Sequence, residues 1–250
     1  MSYTGKNRGL PSHDPSNTEI RHLRTLAIIP ARGGSKRIRG KNTRPLHGKP
    51  LLAWTADFAS GIDQFTRTLL STDSPDILDT GVALGLSHNG LRPDSLSHDT
   101  ATSIDVVFHE LAQCAMQSEH FDCVALLQPT SPFRLKKRWC EAFSYIADGS
   151  AASVVSVSPA PVPPEHYFRR ASDGTTCPLL PDSLTQRTQD IEPSYFVNGA
   201  LYLARVAALT EARSFYAAPL KSVVCTDPRE NIDLDTEADW LEAEALLAST

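Results

Sequence analysis

The sequence predicts an α/β protein whose doubly wound, mostly parallel β-sheet is covered by helices on both faces. Three observations support this fold class. Short apolar runs of strand length alternate, over residues 25–158, with longer segments that have the periodicity of amphipathic helices. The runs are continuously apolar, as expected of parallel strands that are buried on both sides. The 250 residues contain no internal repeat and suffice for one domain with a complete core.

The elements follow one another in the order that such a sheet requires. A buried apolar run at 26–29 predicts the first strand, and the apolar spacing over 49–59 predicts the first helix. Ser74 and Pro75 have the residue types preferred at a helix N-cap and first helical position, which predicts a helix over 75–84. Further strands are predicted at 68–71, 123–127, 152–157, 199–204 and 221–225, and further helices at 102–116, 136–147 and 237–247.

The alternation stops after Ser158. Residues 159–195 contain seven prolines, which exclude most of this stretch from a central strand. We therefore expect an excursion from the core at about 159–195: an arm, a lid or a dimer contact. Residues 1–24 are polar and lack the apolar segment of a secretory signal, so we expect a flexible extension there. Residues 25–250 then form the single domain.

Composition narrows the range of partners. The net charge of −5 provides no basic footprint for nucleic acid, and no apolar run has the length of a membrane span. We therefore expect neither nucleic acid nor a membrane as a partner. The five cysteines are widely spread without metal-binding spacing, which is typical of small buried side chains in a reducing compartment. The expected location is the cytoplasm.

The loop after the first strand is the strongest candidate for an anion site. Gly33 and Gly34 follow the buried strand closely and leave room for a sharp turn and a nearby ligand. Successive backbone N–H groups and several cations suit a triphosphate. The loop matches neither a Walker A motif nor a dinucleotide fingerprint, and a solvated basic loop is the alternative. Its cationic side chains are Arg32, Lys36, Arg37, Arg39 and Lys41.

Residues 27–36, with Lys41-Asn42 and 48–51, resemble the signature of acylneuraminate cytidylyltransferases and of their relatives that activate legionaminate or pseudaminate. The resemblance extends from about residue 25 to residue 247. It implies a nucleotidyltransferase-type, Rossmann-like fold with a protruding dimerisation arm, and therefore a homodimer. The implied reaction transfers CMP from CTP to the anomeric hydroxyl of a nine-carbon sialic-acid-like sugar and releases pyrophosphate.

The resemblance also implies the residues that bind CTP. Arg92 and Ser103 match the cytosine-recognition segment, although hydroxyl side chains near residue 102 are equally expected as caps of the following helix. Asp73 ends a matching block and either faces the site or caps the helix after it. The full CTP-binding set is Ala31, Arg32, Gly33, Gly34, Ser35, Lys41, Asn42, Arg92 and Ser103.

By resemblance, three residues are expected to bind the sugar: Gln128, Arg187 and Asn198. Gln128 stands in a proline-fixed loop after a strand, where a mere rigid turn is the alternative. Arg187 matches an arginine that binds the sugar carboxylate in bidentate fashion. Many sialate enzymes carry another arginine where this chain has Phe196, and residues 187–193 are more like the pseudaminate branch. The sugar therefore stays open among N-acetylneuraminate, legionaminate and pseudaminate.

Asp233 and Asp235 form the last block. Two residues apart in extended backbone, they point to the same side, and paired carboxylates suit Mg²⁺. Capping of the final helix by Asp235 or Thr236 is the alternative. The resemblance to the family's metal block favours Mg²⁺ as cofactor, and the expected catalytic set is Arg32, Lys41, Asp233 and Asp235. Alternative functions are an octulosonate cytidylyltransferase and a non-catalytic nucleotide-sugar binding module.

Overall fold

A computed structural model of the chain describes residues 23–98, 100–181 and 192–248. Within these ranges the protein is built around one six-stranded sheet and two short hairpins. The strands are β1 (Thr25–Pro30), β2 (Pro45–Leu46), β3 (Lys49–Pro50), β4 (Phe65–Ser71), β5 (Cys123–Leu126), β6 (Ser153–Pro159), β7 (Phe168–Arg170), β8 (Thr176–Pro178), β9 (Tyr195–Arg205) and β10 (Leu220–Val224).

The main sheet has the order β10-β6-β9-β5-β1-β4. Pairing is parallel between β10 and β6, between β5 and β1 and between β1 and β4, which confirms the predicted fold class. β9 is the exception and runs antiparallel to both β5 and β6. The chain leaves the sheet at the end of β6 and returns at that same edge, so β9 can only enter the sheet in the opposite direction.

Helices cover both faces of the sheet. They are α1 (Leu51–Ser60), α2 (Pro75–Ala83), α3 (Ser103–Met116), α4 (Lys136–Ala147), α5 (Val206–Ala212) and α6 (Glu237–Ala248). Alternate residues of β1 face opposite layers: Ala27 and Ile29 join a core with side chains of α1, α2 and α4, while Leu26 and Ile28 join a core with those of α3 and α5. Among the described helices none has the length and apolar character needed to cross a lipid bilayer.

Three predicted boundaries are wrong by two to four residues, for local reasons. β4 begins at Phe65 rather than at residue 68, because its first residues pair with the start of β1. α1 begins at Leu51 rather than at residue 49, because Lys49 and Pro50 pair with the preceding β2. β9 begins at Tyr195 rather than at residue 199, because its first residues pair with the end of β6. The register between β6 and β9 shifts between Val155 and Val157, which separates these outer pairs from the inner ones.

The proline-rich excursion leaves the sheet as predicted. No residue from 160 to 181 is buried, and β7 and β8 form an exposed antiparallel hairpin. The excursion also exposes large apolar side chains, among them Val162, Tyr167 and Phe168. Residues 1–22, most of the predicted flexible extension, lie outside the described residues, as do 182–191 within the excursion.

Candidate active site

A cavity of about 500 Å³ opens beyond the carboxyl ends of β1 and β5. This is where ligands bind in open α/β sheets. Its walls come from the loop after β1, the segment before α3 and the loop after β5. The cavity brings together eight of the residues singled out from the sequence: Arg32, Ser35, Lys41, Asn42, Arg92, Ser103, Gln128 and Asp235. Ala31, Gly33, Gly34, Asp233 and Asn198 do not line it.

Two residues of the loop after β1 fasten it to the neighbouring strand. The Ala31 N–H donates to the carbonyl of Ser71 at 2.9 Å, and the Gly33 N–H donates to Asp73 Oδ1 at 2.8 Å. The Gly33 amide is therefore already paired with a carboxylate and is not part of an anion nest in this structure. Asp73 takes neither of its two expected roles: it holds the loop, and its Oδ1 lies 3.8 Å from Arg92 Nη2.

Lys41 and Asn42 hold the far end of the same loop. Asn42 is buried, and its Nδ2 donates to the backbone carbonyl of Arg32 at 3.0 Å. Lys41 Nζ donates to the carbonyl of Leu234 at 2.8 Å and lies 3.3 Å from Asp235 Oδ1. The two residues thus fix Arg32 and connect the basic loop to the segment that carries the predicted metal ligands.

Arg92 is a buried cation at the cavity wall. Its Nε has no hydrogen-bond partner, although it is shielded from water. Burial lowers the pKa of Arg92, while the charges of Asp73 and Glu110 act to raise it. A buried donor without an acceptor carries a free-energy cost that a ligand acceptor would remove. This fits the expectation that Arg92 meets a nucleobase carbonyl.

The start of α3 combines a helix cap with residues that line the cavity. Thr102 Oγ1 accepts a hydrogen bond from the Asp105 N–H at 3.3 Å, and Asp105 Oδ2 accepts one from the Thr102 N–H at 3.2 Å. This is a capping box, and Thr102 lines the cavity as well as capping the helix. Ser103 follows as the first helical residue, takes no part in the cap and lines the cavity.

Asp235 lies at the cavity edge between two cations. Arg37 Nη2 is 2.9 Å from its Oδ2, and Lys41 Nζ approaches its other oxygen. Asp235 does not cap α6: the Thr236 N–H donates to Asp239 Oδ2 at 2.6 Å, and Thr236 Oγ1 accepts from the Asp239 N–H at 3.3 Å. The cap is therefore Thr236, and the Asp235 carboxylate is paired with Arg37 and Lys41 rather than with the helix.

The donor set at Asp233 and Asp235 fits Mg²⁺. Asp233 remains exposed as a residue, but desolvation of its carboxyl group raises its pKa, and the neighbouring Asp235 charge raises it further, against a hydrogen bond from Thr130. The two carboxylates are thus close enough to interact. Residues 23–98, 100–181 and 192–248 contain no group of three acidic, histidine or cysteine side chains that could hold a metal. Two carboxylates that share the ion with substrate phosphates are typical of Mg²⁺.

Gln128 and Asn198 take different positions. Gln128 is half-buried and lines the cavity. Asn198 is buried behind it: its Nδ2 donates to Ser158 Oγ at 2.9 Å and to Asn231 Oδ1 at 3.3 Å, and its Oδ1 accepts from Ser156 Oγ. Direct sugar binding by Asn198 therefore has no support in this geometry, because its amide is already used in the core. Arg187 lies outside the described residues.

Several cavity residues were not assigned from the sequence. Arg37 was noted only as one of the loop's cations, and nothing marked the lone His98, which lines the cavity before α3. Thr130 lies in the same proline-fixed loop as Gln128, but its role toward Asp233 depends on a contact more than a hundred residues away. Arg134, at the end of that loop, lies outside the cavity, and only the fold reveals that its guanidinium is buried.

The fold and the cavity together define a class of protein. Cations from the β1 loop, a buried arginine donor and the Asp235 carboxylate meet at the ligand-binding edge of a doubly wound sheet. Such a site belongs to a nucleotidyltransferase. The family model described as cytidylyltransferase matches residues 26–172. The chain belongs to the cytidylyltransferase family, as the sequence resemblance predicted.

Individual relatives agree with this family. A CMP-N,N'-diacetyllegionaminic acid synthase of Legionella pneumophila is 39% identical over 90% of this chain and 97% of the relative. An N-acylneuraminate cytidylyltransferase of Streptococcus agalactiae is 30% identical over 88% of this chain, which spans about half (52%) of that relative's length. The solved structure of a CMP:2-keto-3-deoxy-manno-octonic acid synthetase complexed with CTP has a TM-score of 0.66 over 90% of this chain and 99% of that chain. At 16% identity, that likeness shows the fold.

Proposed function

We propose that this chain transfers CMP from CTP to the anomeric hydroxyl of a nine-carbon sugar acid and releases pyrophosphate. The observation that carries the proposal is the shared cavity. Residues expected to hold CTP, such as Arg32, Lys41 and Arg92, and Gln128, expected on the sugar, line one space. A non-catalytic binding module would not need a carboxylate such as Asp235 beside a triphosphate loop.

The chemistry requires positioning and charge neutralisation more than covalent participation by the protein. The anomeric oxygen attacks the α-phosphorus, the bond from that phosphorus to the bridging oxygen breaks, and the hydroxyl proton passes to a base or to water. Arg32 and Lys41 offset the growing charge on the leaving pyrophosphate. Arg92 and Ser103 hold the cytosine, and Asn42 holds the backbone of Arg32 in place.

We propose that Asp233 and Asp235 hold Mg²⁺. When bound, the ion would offset negative charge on the triphosphate and orient it for in-line attack. Asp235 is now paired with Arg37 and Lys41. Both cations stand at the cavity, so they are placed to turn from Asp235 to the phosphates when a cation takes over the carboxylate.

Diacetyllegionaminate is the sugar we propose first. The Legionella relative named for this sugar is 39% identical, against 30% for the sialate relative. The apolar Phe196, 41% exposed at the base of the excursion, also departs from the arginine of many sialate enzymes. Arg187 remains the proposed ligand of the sugar carboxylate.

We further propose that the excursion at 159–195 forms a homodimer contact. It exposes Phe168 (54%) and the neighbouring Tyr167 (46%) at a hairpin that the rest of the described chain does not bury, and such a surface is typical of an interface. Light scattering after size exclusion would show a dimer, and Phe168→Glu would shift it toward monomer. A wild-type monomer at micromolar concentration would contradict this proposal. All five cysteines are free, which supports the proposed cytoplasmic location, but only three are buried as predicted, since Cys140 and Cys177 are exposed.

The test is pyrophosphate release from CTP and Mg²⁺, with diacetyllegionaminate, N-acetylneuraminate, pseudaminate and the eight-carbon octulosonate offered separately. We expect release with diacetyllegionaminate. Asp235→Asn is the matched control, since it keeps size and hydrogen bonding but removes the charge that would bind the metal. Pyrophosphate release with octulosonate alone would show that the substrate is an eight-carbon sugar acid. CTP binding without pyrophosphate release in the presence of any of the sugar acids would favour a non-catalytic binding module.

A further inference from the structure

Arg134 is a buried cation that the reaction described above does not use. It stands after the loop that follows β5, two residues before α4, and is 8% exposed. Burial lowers the pKa of Arg134, and no described carboxylate forms an ion pair with it. Burying a charge without a counter-ion is costly, so the position requires hydrogen bonds that repay this cost.

The guanidinium joins three separate segments. Its Nε donates to the Ala200 carbonyl in β9 at 3.1 Å, and its Nη1 donates to Thr55 Oγ1 in α1 at 3.1 Å. Its Nη2 donates to the backbone carbonyl of Gln128. A planar guanidinium can direct donors along three fixed directions at once, which the single ammonium of lysine cannot reproduce.

One of these three segments, the Gln128 loop, lines the cavity, and β9 lies beside that loop. The Gln128 carbonyl also accepts the Ser131 N–H at 3.1 Å, so the loop is held from both sides while the Gln128 side chain faces the cavity. Gly199, next to Ala200, has a φ of +82°, and a Cβ there would lie 3.7 Å from Gln128 Oε1. Position 199 therefore packs directly against the Gln128 amide, and Arg134 ties the two together from behind.

We propose that Arg134 is a positioning residue for the sugar-acid side of the site. It fixes the Gln128 loop against β9, so that the Gln128 amide stands ready for the sugar, and it does not touch the substrate itself. The cytosine-side residues Arg92 and Ser103 belong to other segments that Arg134 does not contact. The inference rests on the proposed function, because it assigns Gln128 to the sugar acid.

The test is steady-state kinetics of Arg134→Lys, which keeps the charge and removes the fork. Because a misplacement of about 1 Å can lower rates on the order of 100-fold, we expect kcat/KM for the sugar acid to fall by roughly 10- to 100-fold. The KM for CTP should stay within about twofold, since only the sugar side loses its support. Thr55→Val removes one acceptor of Arg134 at nearly constant volume. It should also lower kcat/KM for the sugar acid, by a smaller factor.

Arg205→Lys is the matched control. Arg205 also donates to a backbone carbonyl, that of Ile146 at 2.6 Å, but it stands at the opposite end of β9. A lower melting temperature in Arg134→Lys with an unchanged kcat/KM for the sugar acid, or an equal fall of kcat/KM for CTP through a raised KM for CTP, would overturn the inference. If Arg134→Lys fails to fold, Thr55→Val decides by the same criterion. Inactivity of the wild type with every sugar acid would instead reject the proposed function, and with it the sugar-side role of Arg134.

Discussion

Gly33 and Gly34 are adjacent, but the structure predicts opposite responses to alanine. A Cβ at Gly33 would lie 2.9 Å from the Cβ of Ser74, whereas a Cβ at Gly34 would meet nothing within 4 Å. Carbon atoms in favourable contact are roughly 3.5–4.0 Å apart, so Gly33→Ala requires a displacement of about 0.6–1 Å. The obstructing atom is attached to the backbone at the start of α2, so it cannot rotate away.

The cost of that displacement can be estimated. Overpacking typically destabilises by about 1–3 kcal/mol. For a chain of this size, 1 kcal/mol corresponds to roughly 2–4 °C in melting temperature, so Gly33→Ala should melt about 2–12 °C below the wild type. The same shift strains the 2.8 Å bond from the Gly33 N–H to Asp73 and moves Arg32 with the loop, which should weaken CTP binding.

Thermal unfolding followed by circular dichroism, with isothermal titration of CTP, measures both effects. Gly34→Ala is the control for stability. It should unfold within about 0.5 kcal/mol of the wild type, or slightly above it because alanine restricts the unfolded chain. The reasoning would be refuted if Gly33→Ala and the wild type had equal melting temperatures and equal affinity for CTP. The close approach of position 33 to Ser74 would then not determine the position of the loop.

Four further substitutions test other parts of the structure. Gly81→Ala, usually favourable in a helix, should destabilise the protein by about 1–3 kcal/mol in urea unfolding, because a Cβ would lie 2.2 Å from Leu70 Cδ2; a more stable variant would contradict this. Thr102→Ala should cost about 1 kcal/mol of stability because the cap is lost, while Ser103→Ala should weaken CTP binding with unchanged stability. Asn198→Ala should lower the free energy of unfolding by about 1–3 kcal/mol, since it leaves buried partners unpaired, and a loss confined to sugar binding would restore its role as a ligand.

The sequence was sufficient to predict the parallel strands of the sheet, because the apolar runs that indicate them are local. Continuous apolar runs predicted the parallel strands, and the residue types at Ser74 and Pro75 located α2 correctly. The antiparallel direction of β9 was not predicted, since it depends on where the proline-rich excursion returns the chain. The structure confirms the capping role that was considered for hydroxyl side chains near residue 102, because Thr102 and Asp105 form a capping box.

Residue type alone could not separate ligands from supports. Asn198 and Gln128 carry the same amide, yet one is enclosed by hydroxyl groups of β6 and the other faces the cavity. Asp73 pairs with an amide 40 residues earlier in the chain, and no local pattern specifies that contact. The role of a buried polar residue such as Arg134 is equally hard to predict from sequence, because the segments it joins come together only in the folded chain.

The register shift between β6 and β9 divides β9 into two parts with different freedom to vary. Beyond the shift, Tyr195, Phe196 and Val197 pair only with the end of β6, and each is exposed. Inside it, residues 202–204 are held between β5 and β6 and are buried or half-buried. The length and sequence of the excursion can therefore vary without disturbing the alignment of the inner sheet.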